Sequence, residues 1–280
     1  MSATLLAAIF ALSAAVVWGT GDFTSGLAAR RIGPLHALLL SMLVGLAAMF
    51  LLAWATGEAM ASTADLLWGI LAGLFGTAGF LCMLQGFTIG RMSVVAPVSA
   101  VLAAIVPVIV ATFTESLPRE MQFLGFLLAF ISIWLVSAQS PQRTSGPSGF
   151  GLAVLAGLGF GFFFTGLDQI SNNAVFWPLV ASRLVAALLL AVVVLFTRRP
   201  LVPPAAPIGL LVTAGLLDVG GNFFFLSAVQ SGRLDIAAVL VSLYPAVTVL
   251  WAMLVIKERM NRLQAIGVLL AILAIGLITV

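Results

Sequence analysis

Ionisable residues are scarce enough in this sequence to be weighed one at a time. Lys and Arg number 12 and Asp and Glu 9 among 280 residues, and most fall in polar breaks between apolar runs. Two do not. Asp218 lies near the middle of one apolar stretch and Arg183 in the first part of another, where an unpaired charge in hydrocarbon is costly. Both are expected to face the interior, where they can meet as an ion pair. Such a pair is either structural or mechanistic. In the mechanistic case Asp218 alternates between protonated and charged states as a solute or Arg183 comes and goes, since desolvation favours the neutral carboxyl and a nearby cation the ionised one. Proton coupling is the expectation that follows.

Asn222 falls one turn beyond Asp218 on the same helical face and can hydrogen-bond a solute or a neighbouring helix. Trp18 and Asp22, near the end of the first apolar run, where interfacial anchoring or capping is the plainer role, form an i,i+4 pair beside Gly19 and Gly21, a place where a helix can bend and expose a polar face. Gln85 completes the candidate solute-binding or coupling set, although it lies near a helix end, where interfacial anchoring or capping is the plainer role. With one histidine, His36, and one cysteine, Cys82, neither a His-rich metal site nor a Cys/His nucleophile can be assembled. No metal or cofactor is expected. Gly157, Gly159 and Gly161 sit in no βαβ pattern and make no dinucleotide motif.

These residues need elements to hold them, and composition says in which solvent. Hydrophobic residues make up 62% and charged residues 8%, with a mean hydropathy of +1.24; so few charges do not keep a globular surface in water. The formal charge is only +3 and no basic run exceeds two residues, which argues against nucleic acid as a partner and for basic residues as topology signals. No Lys or Arg precedes the first apolar run and Arg30 and Arg31 follow it, the reverse of a signal peptide, so that segment is expected to stay in the mature protein.

A bilayer core about 30 Å thick takes about 20 helical residues. Ten apolar runs of about that length are present, at residues 5–25, 34–56, 66–88, 92–113, 121–138, 150–169, 175–197, 207–230, 236–256 and 263–280. The longest polar interruption falls at mid-chain and is rich in Ser, Pro and Gly. The expected fold is an all-α polytopic membrane protein, with a first five-helix repeat at 1–140, a linker at 141–149 and a second repeat at 150–280.

The halves register at one offset of 142 residues, which sets Gly19 on Gly161, Gly73 on Gly215, Gly79 on Gly221, Gly90-Arg91 on Gly232-Arg233 and Gly125 on Gly267. Glu115 needs one extra residue to reach Glu258. An odd number of spans per repeat makes the second half enter the membrane from the opposite side, giving ten transmembrane helices as two inverted five-helix repeats. Oppositely inserted halves can open a central site first to one side and then to the other. At the same offset Asp218 falls on Gly76 and Arg183 on Ser41, so only one half carries the charged pair.

Residues 229–278, with Pro245 in the ninth run, Glu258-Arg259 after it and Gly267 in the tenth, resemble the carboxy-terminal signature of the EamA-type transporters of the drug/metabolite transporter superfamily. Residues 90–130 repeat a degraded copy, and Trp18-Gly19 with Asp22-Phe23 is similar to that family's first helix. The resemblance implies a secondary active transporter that moves a small metabolite, amino acid or drug-like solute by alternating access, commonly an exporter driven by solute or proton gradients. A lipid or lipid-carrier flippase is the alternative, and a carboxylate-only membrane enzyme a remote one.

Nine basic residues (Arg30, Arg31, Arg91, Arg143, Arg198, Arg199, Lys257, Arg259, Arg262) fall on one side of the expected topology and two, Arg119 and Arg233, on the other. The positive-inside rule then places both termini outside the cytoplasm, whereas the family resemblance favours termini inside. The expected setting is the lipid bilayer of a bacterial inner (plasma) membrane; the oligomeric state is not set by these features. Pro97, Pro107, Pro178 and Pro245 are expected to kink their helices, and Glu258 and Arg262 to brace a helix end as an i,i+4 pair.

Overall fold

The computed structural model describes residues 3–89, 92–114, 117–137, 149–197, 200–204, 206–255 and 262–278. Within them the chain forms eleven helices: α1 (Ala3–Ile32), α2 (Pro34–Ala55), α3 (Thr63–Ile89), α4 (Met92–Thr114), α5 (Glu120–Ser137), α6 (Phe150–Asp168), α7 (Phe176–Phe196), α8 (Ile208–Ser231), α9 (Leu234–Val241), α10 (Tyr244–Val255) and α11 (Arg262–Ile278). There is no strand among the described residues. Glu115, Arg91, Glu258 and most of the linker lie outside them, so the pairing proposed for Glu258 with Arg262 does too.

Nine of the ten expected runs hold one helix each. The ninth holds two. Pro245 has no N–H to offer the carbonyl of Val241 four residues back, and α9 ends at Val241. A tighter turn follows, in which the Ser242 N–H reaches the Ala238 carbonyl at 3.1 Å and the Leu243 N–H the Leu240 carbonyl at 3.2 Å, before α10 starts at Tyr244. The other three prolines break nothing. Helix α4 runs unbroken through Pro97 and Pro107, and Pro178 sits in the first turn of α7, where its missing N–H would have had no intrahelical partner.

Helices α1, α2, α3, α6, α7 and α8 are each long and apolar enough to cross a membrane, while α4, α5, α11 and the α9–α10 pair hold shorter apolar stretches. Large apolar side chains lie on the outside, with Phe113 86%, Phe196 85% and Trp54 76% exposed, a surface that hydrocarbon and not water would cover. Between α1 and α2 the chain reverses at a single residue, Gly33, whose φ of +83° suits glycine; Pro34 then begins α2.

Contacts between the halves come in exchanged pairs. Helix α1 packs on α8 as α6 packs on α3, α2 packs on α8 as α7 packs on α3, and α9–α10 lies on α1 as α4 lies on α6; α2 also meets α7, α4 meets α9, and α5 meets α10 and α11. Single residues repeat the pattern. A Cβ on Gly73 would stand 2.5 Å from the Ser182 carbonyl oxygen and 2.7 Å from Val185, and one on Gly215 2.6 Å from the Ser41 carbonyl oxygen and 2.8 Å from Val44. These contacts match Ser41 with Ser182 and Val44 with Val185, an offset of 141. Met42, and not Ser41 as the constant 142-residue register suggests, is therefore the counterpart of Arg183.

Candidate functional site

Where α1 to α4, α6, α7, α8 and α10 converge between the halves, they enclose a cavity containing about 730 Å³ of unfilled space, part of it continuous with the outside. Trp18, Asp22, Arg183, Asp218 and Asn222 all line it. Gln85 is not among the lining residues and is exposed on α3. Helix α1 extends uninterrupted to Ile32, so Trp18 and Asp22 sit within its length and not near an interfacial end as the 5–25 run implies.

Asp218 is the hub. Its Oδ2 lies 2.6 Å from Nη2 of Arg183, which α7 brings from the neighbouring helix. The other amine of Arg183 donates to the Met42 sulfur at 2.8 Å, a contact between the two counterpart positions of α2 and α7. Arg183 is 6% exposed and its Nε has no partner. Asn222, one turn along α8, donates its amide to the Asp218 carbonyl at 2.7 Å and to Oδ1 at 3.2 Å. That fixes the amide's orientation and leaves its Oδ1 buried and unpartnered.

The indole of Trp18 comes within hydrogen-bonding reach of Asp218. Its position is set by packing: it stacks on Phe164 with centroids 5.8 Å apart and meets Phe225 at 5.8 Å and Phe163 at 6.3 Å. Behind the ring is Gly221, where a Cβ would overlap the indole. Asp22 is close enough to Asp218 for the two carboxylates to act on one another, and its charge reaches the Tyr244 hydroxyl, yet among the described residues it has no hydrogen-bond or ion-pair partner. Thr77, Ser182 and Tyr244 add hydroxyls to the same wall.

One end of the bundle above this cavity is fastened by side chains that sequence reasoning missed. Glu58, between α2 and α3, accepts from the N–H groups of Val175, Phe176 and Trp177 at 3.0 to 3.2 Å, capping the start of α7 from the other half. Asp65 accepts from the Ser171 N–H at 2.8 Å and from its hydroxyl at 3.1 Å, while Ser62 caps α3 through the Asp65 N–H. Gln230 at the end of α8 donates to the Ser171 and Ala174 carbonyls, both at 3.1 Å. Three loops are thus tied together at that end. From the level of Gly73 the cavity lining continues along α3 through Phe80 to Met83, toward the opposite end. The Ser-x-x-Asp spacing of residues 62–65 was a readable capping signal; the long-range partners of Glu58 and Asp65 carried none.

The sequence model of the EamA-like transporter family matches residues 5–138 and 147–280, once for each half. An uncharacterized protein of Methanocaldococcus jannaschii is 27% identical over 130 residues, which are 46% of this chain and 93% of that relative. A single half is thus nearly the whole of the relative. A solved crystal structure superposes with a TM-score of 0.83 over 98% of both chains at 15% identity, a likeness that shows the fold alone.

Proposed function

The chain belongs to the EamA-like transporter family and is an integral membrane protein, and on that premise we propose that it carries a small metabolite, amino acid or drug-like solute through the cavity between its halves. The observation that carries this reading is the cavity itself. It carries charged groups at mid-helix depth in an otherwise apolar wall and is built from both halves, with Asp22 from the first and Arg183 and Asp218 from the second.

In this proposal ten spans form two inverted repeats, and the exchanged contacts of α1 with α8 and α6 with α3 support a twofold relation between them. Alternating access is then a shift of one such set of contacts against the other. The end tied by Glu58, Asp65 and Gln230 is the closed side of the present conformation. By the Lys/Arg count that side is extracytoplasmic, with both termini on it, and the membrane is proposed to be a bacterial inner membrane. A carboxy-terminal fusion that is fluorescent and phosphatase-inactive would reverse that orientation.

The proposed direction is export, with Asp218 exchanging a proton as Arg183 releases it. The test is uptake by proteoliposomes holding the full chain, wild type against Asp218→Asn and Arg183→Met, with amino acids, sugars and cationic drugs as solutes. Gradient-driven uptake that both substitutions abolish is the expected result. Asp218→Asn with unchanged pH dependence removes the proton from the scheme, and failure of every solute with transfer of labelled lipid instead moves the reading to a flippase.

A further inference from the structure

The charged groups around the cavity do not balance: two carboxylates, Asp22 and Asp218, face one cation, Arg183. Arg183 is already engaged by Asp218 at 2.6 Å, and the Asn222 amide group is engaged by the same residue. The acceptors left over are the Oδ1 of Asn222, in a side chain 0% exposed, and the carboxylate of Asp22. Among the described residues the buried donor left over is the Nε of Arg183, and the hydroxyls of Ser182 and Tyr244, which can donate or accept, share the same wall. With the carboxylates ionised, the three charged side chains that line the space sum to one negative charge. A ligand that balances this wall brings a positive charge and N–H groups.

The remaining wall is aromatic. Trp18, Phe163, Phe164 and Tyr244 all line the cavity, and aromatic faces attract a desolvated cation and pack the apolar body attached to it. A free carboxylate, a buried acceptor and aromatic faces in one cavity suit an alkyl or arylalkyl ammonium. An anion would meet Asp22 with Arg183 already occupied.

We infer that the solute is a small organic ammonium with at least one N–H, its charge held by Asp22, one N–H given to Asn222 Oδ1 and its apolar part against Trp18 and Phe163. This rests on the carrier reading and narrows it to a substrate class. Asn222 and Asp22 belong to opposite halves, so binding draws α1 toward α8. While Arg183 and Asp218 are paired, the site carries one net negative charge and does not favour a dication.

The test is titration calorimetry on the purified full chain, paired with proteoliposome flux, using phenethylammonium, its N,N,N-trimethyl derivative, phenylalanine and phenylacetate. Phenethylammonium is expected to bind and move. Asp22→Asn should weaken it by about tenfold or more, and Asp22→Glu should retain most of the affinity. The trimethyl derivative, with no N–H, should bind more weakly than the primary amine. Tighter binding of phenylalanine or phenylacetate, an Asp22→Asn variant with unchanged affinity, or no binding of the amine overturns the inference. Flux of phenylalanine or phenylacetate by a chain that refuses the amine leaves the carrier reading intact. A site labelled equally from both membrane faces in every condition removes that reading as well.

Discussion

The guanidinium of Arg183 lies between the Asp218 carboxylate, 2.6 Å away on α8, and the Met42 sulfur, 2.8 Å away on α2. One cation thereby bridges its own half and the position in the other half that corresponds to it. Removing the carboxylate leaves a buried cation facing a thioether; removing the cation leaves an unpaired, partly buried anion in the cavity wall. Either loss alone is expensive, while losing both is much less so. Arg183→Met and Asp218→Asn should each lower stability by about 3–5 kcal/mol, and the double variant should recover a large part of that. Thermal unfolding followed by size-exclusion chromatography checks it. Additive losses in the double variant would show that the two groups do not act on one another, and flux recovered along with stability would make the pair merely structural.

Trp18 owes its place to the absence of a side chain behind it. A Cβ on Gly221 would overlap the indole, so Gly221→Ala must push the ring toward Asp218 and Phe164. Overpacking of this kind costs about 1–3 kcal/mol. In a Trp18→Phe background the smaller ring has room to retreat, and Gly221→Ala should then cost far less. Unfolding midpoints of the four proteins measure the coupling, and equal costs of Gly221→Ala in both backgrounds would refute the packing argument.

Much of the fold could be read from hydropathy because crossing a bilayer forces runs of about 20 apolar residues, and Asp218 and Arg183 stood out for the same reason. The meeting of Trp18, Asp22, Asn222 and these two in one cavity was less legible, since Trp18 and Asp22 looked like residues near a helix end until α1 was seen to extend to Ile32. Gln85 lies on the exposed side of α3, which hydropathy alone does not reveal. The constant offset of 142 hid the 141-residue match of Ser41 with Ser182, as glycines on α3 and α8 set the register and α2 and α7 carry none that tests it. Tyr244 entered the site through the break before Pro245, and a hydropathy scan reads across such a break.

Glu58 holds three N–H groups at the start of α7 and receives the Trp177 indole at its own carbonyl, 3.0 Å away. It joins a loop of the first half to a helix of the second, over the closed end of the cavity. Glu58→Ala should cost about 1–2 kcal/mol, the worth of a helix cap, and should also loosen that closure. In a Cys82→Ser background carrying Thr77→Cys, a membrane-impermeant thiol reagent should label the cavity from the Glu58 side faster once Glu58 is replaced. Unchanged labelling would mean that the cap serves folding alone.

Gly73 and Gly215 offer the most direct test of the relation between the halves. Each lets the α2 or α7 backbone of the opposite half approach, and the would-be Cβ distances to the Ser182 and Ser41 carbonyls, 2.5 and 2.6 Å, are nearly the same. Backbone atoms cannot swing aside as a flexible side chain can, so a larger residue must separate the helices. Gly73→Val and Gly215→Val should each destabilise by about 1–3 kcal/mol or more, to a similar degree. They act at different interfaces, α3 with α7 and α8 with α2, both bordering the cavity. If the halves exchange conformations during transport, the two substitutions should favour opposite openings: one should raise thiol labelling of Thr77→Cys from one membrane face, and the other from the opposite face. A shift in the same direction by both would leave the twofold contacts in place as architecture but remove them from the transport cycle.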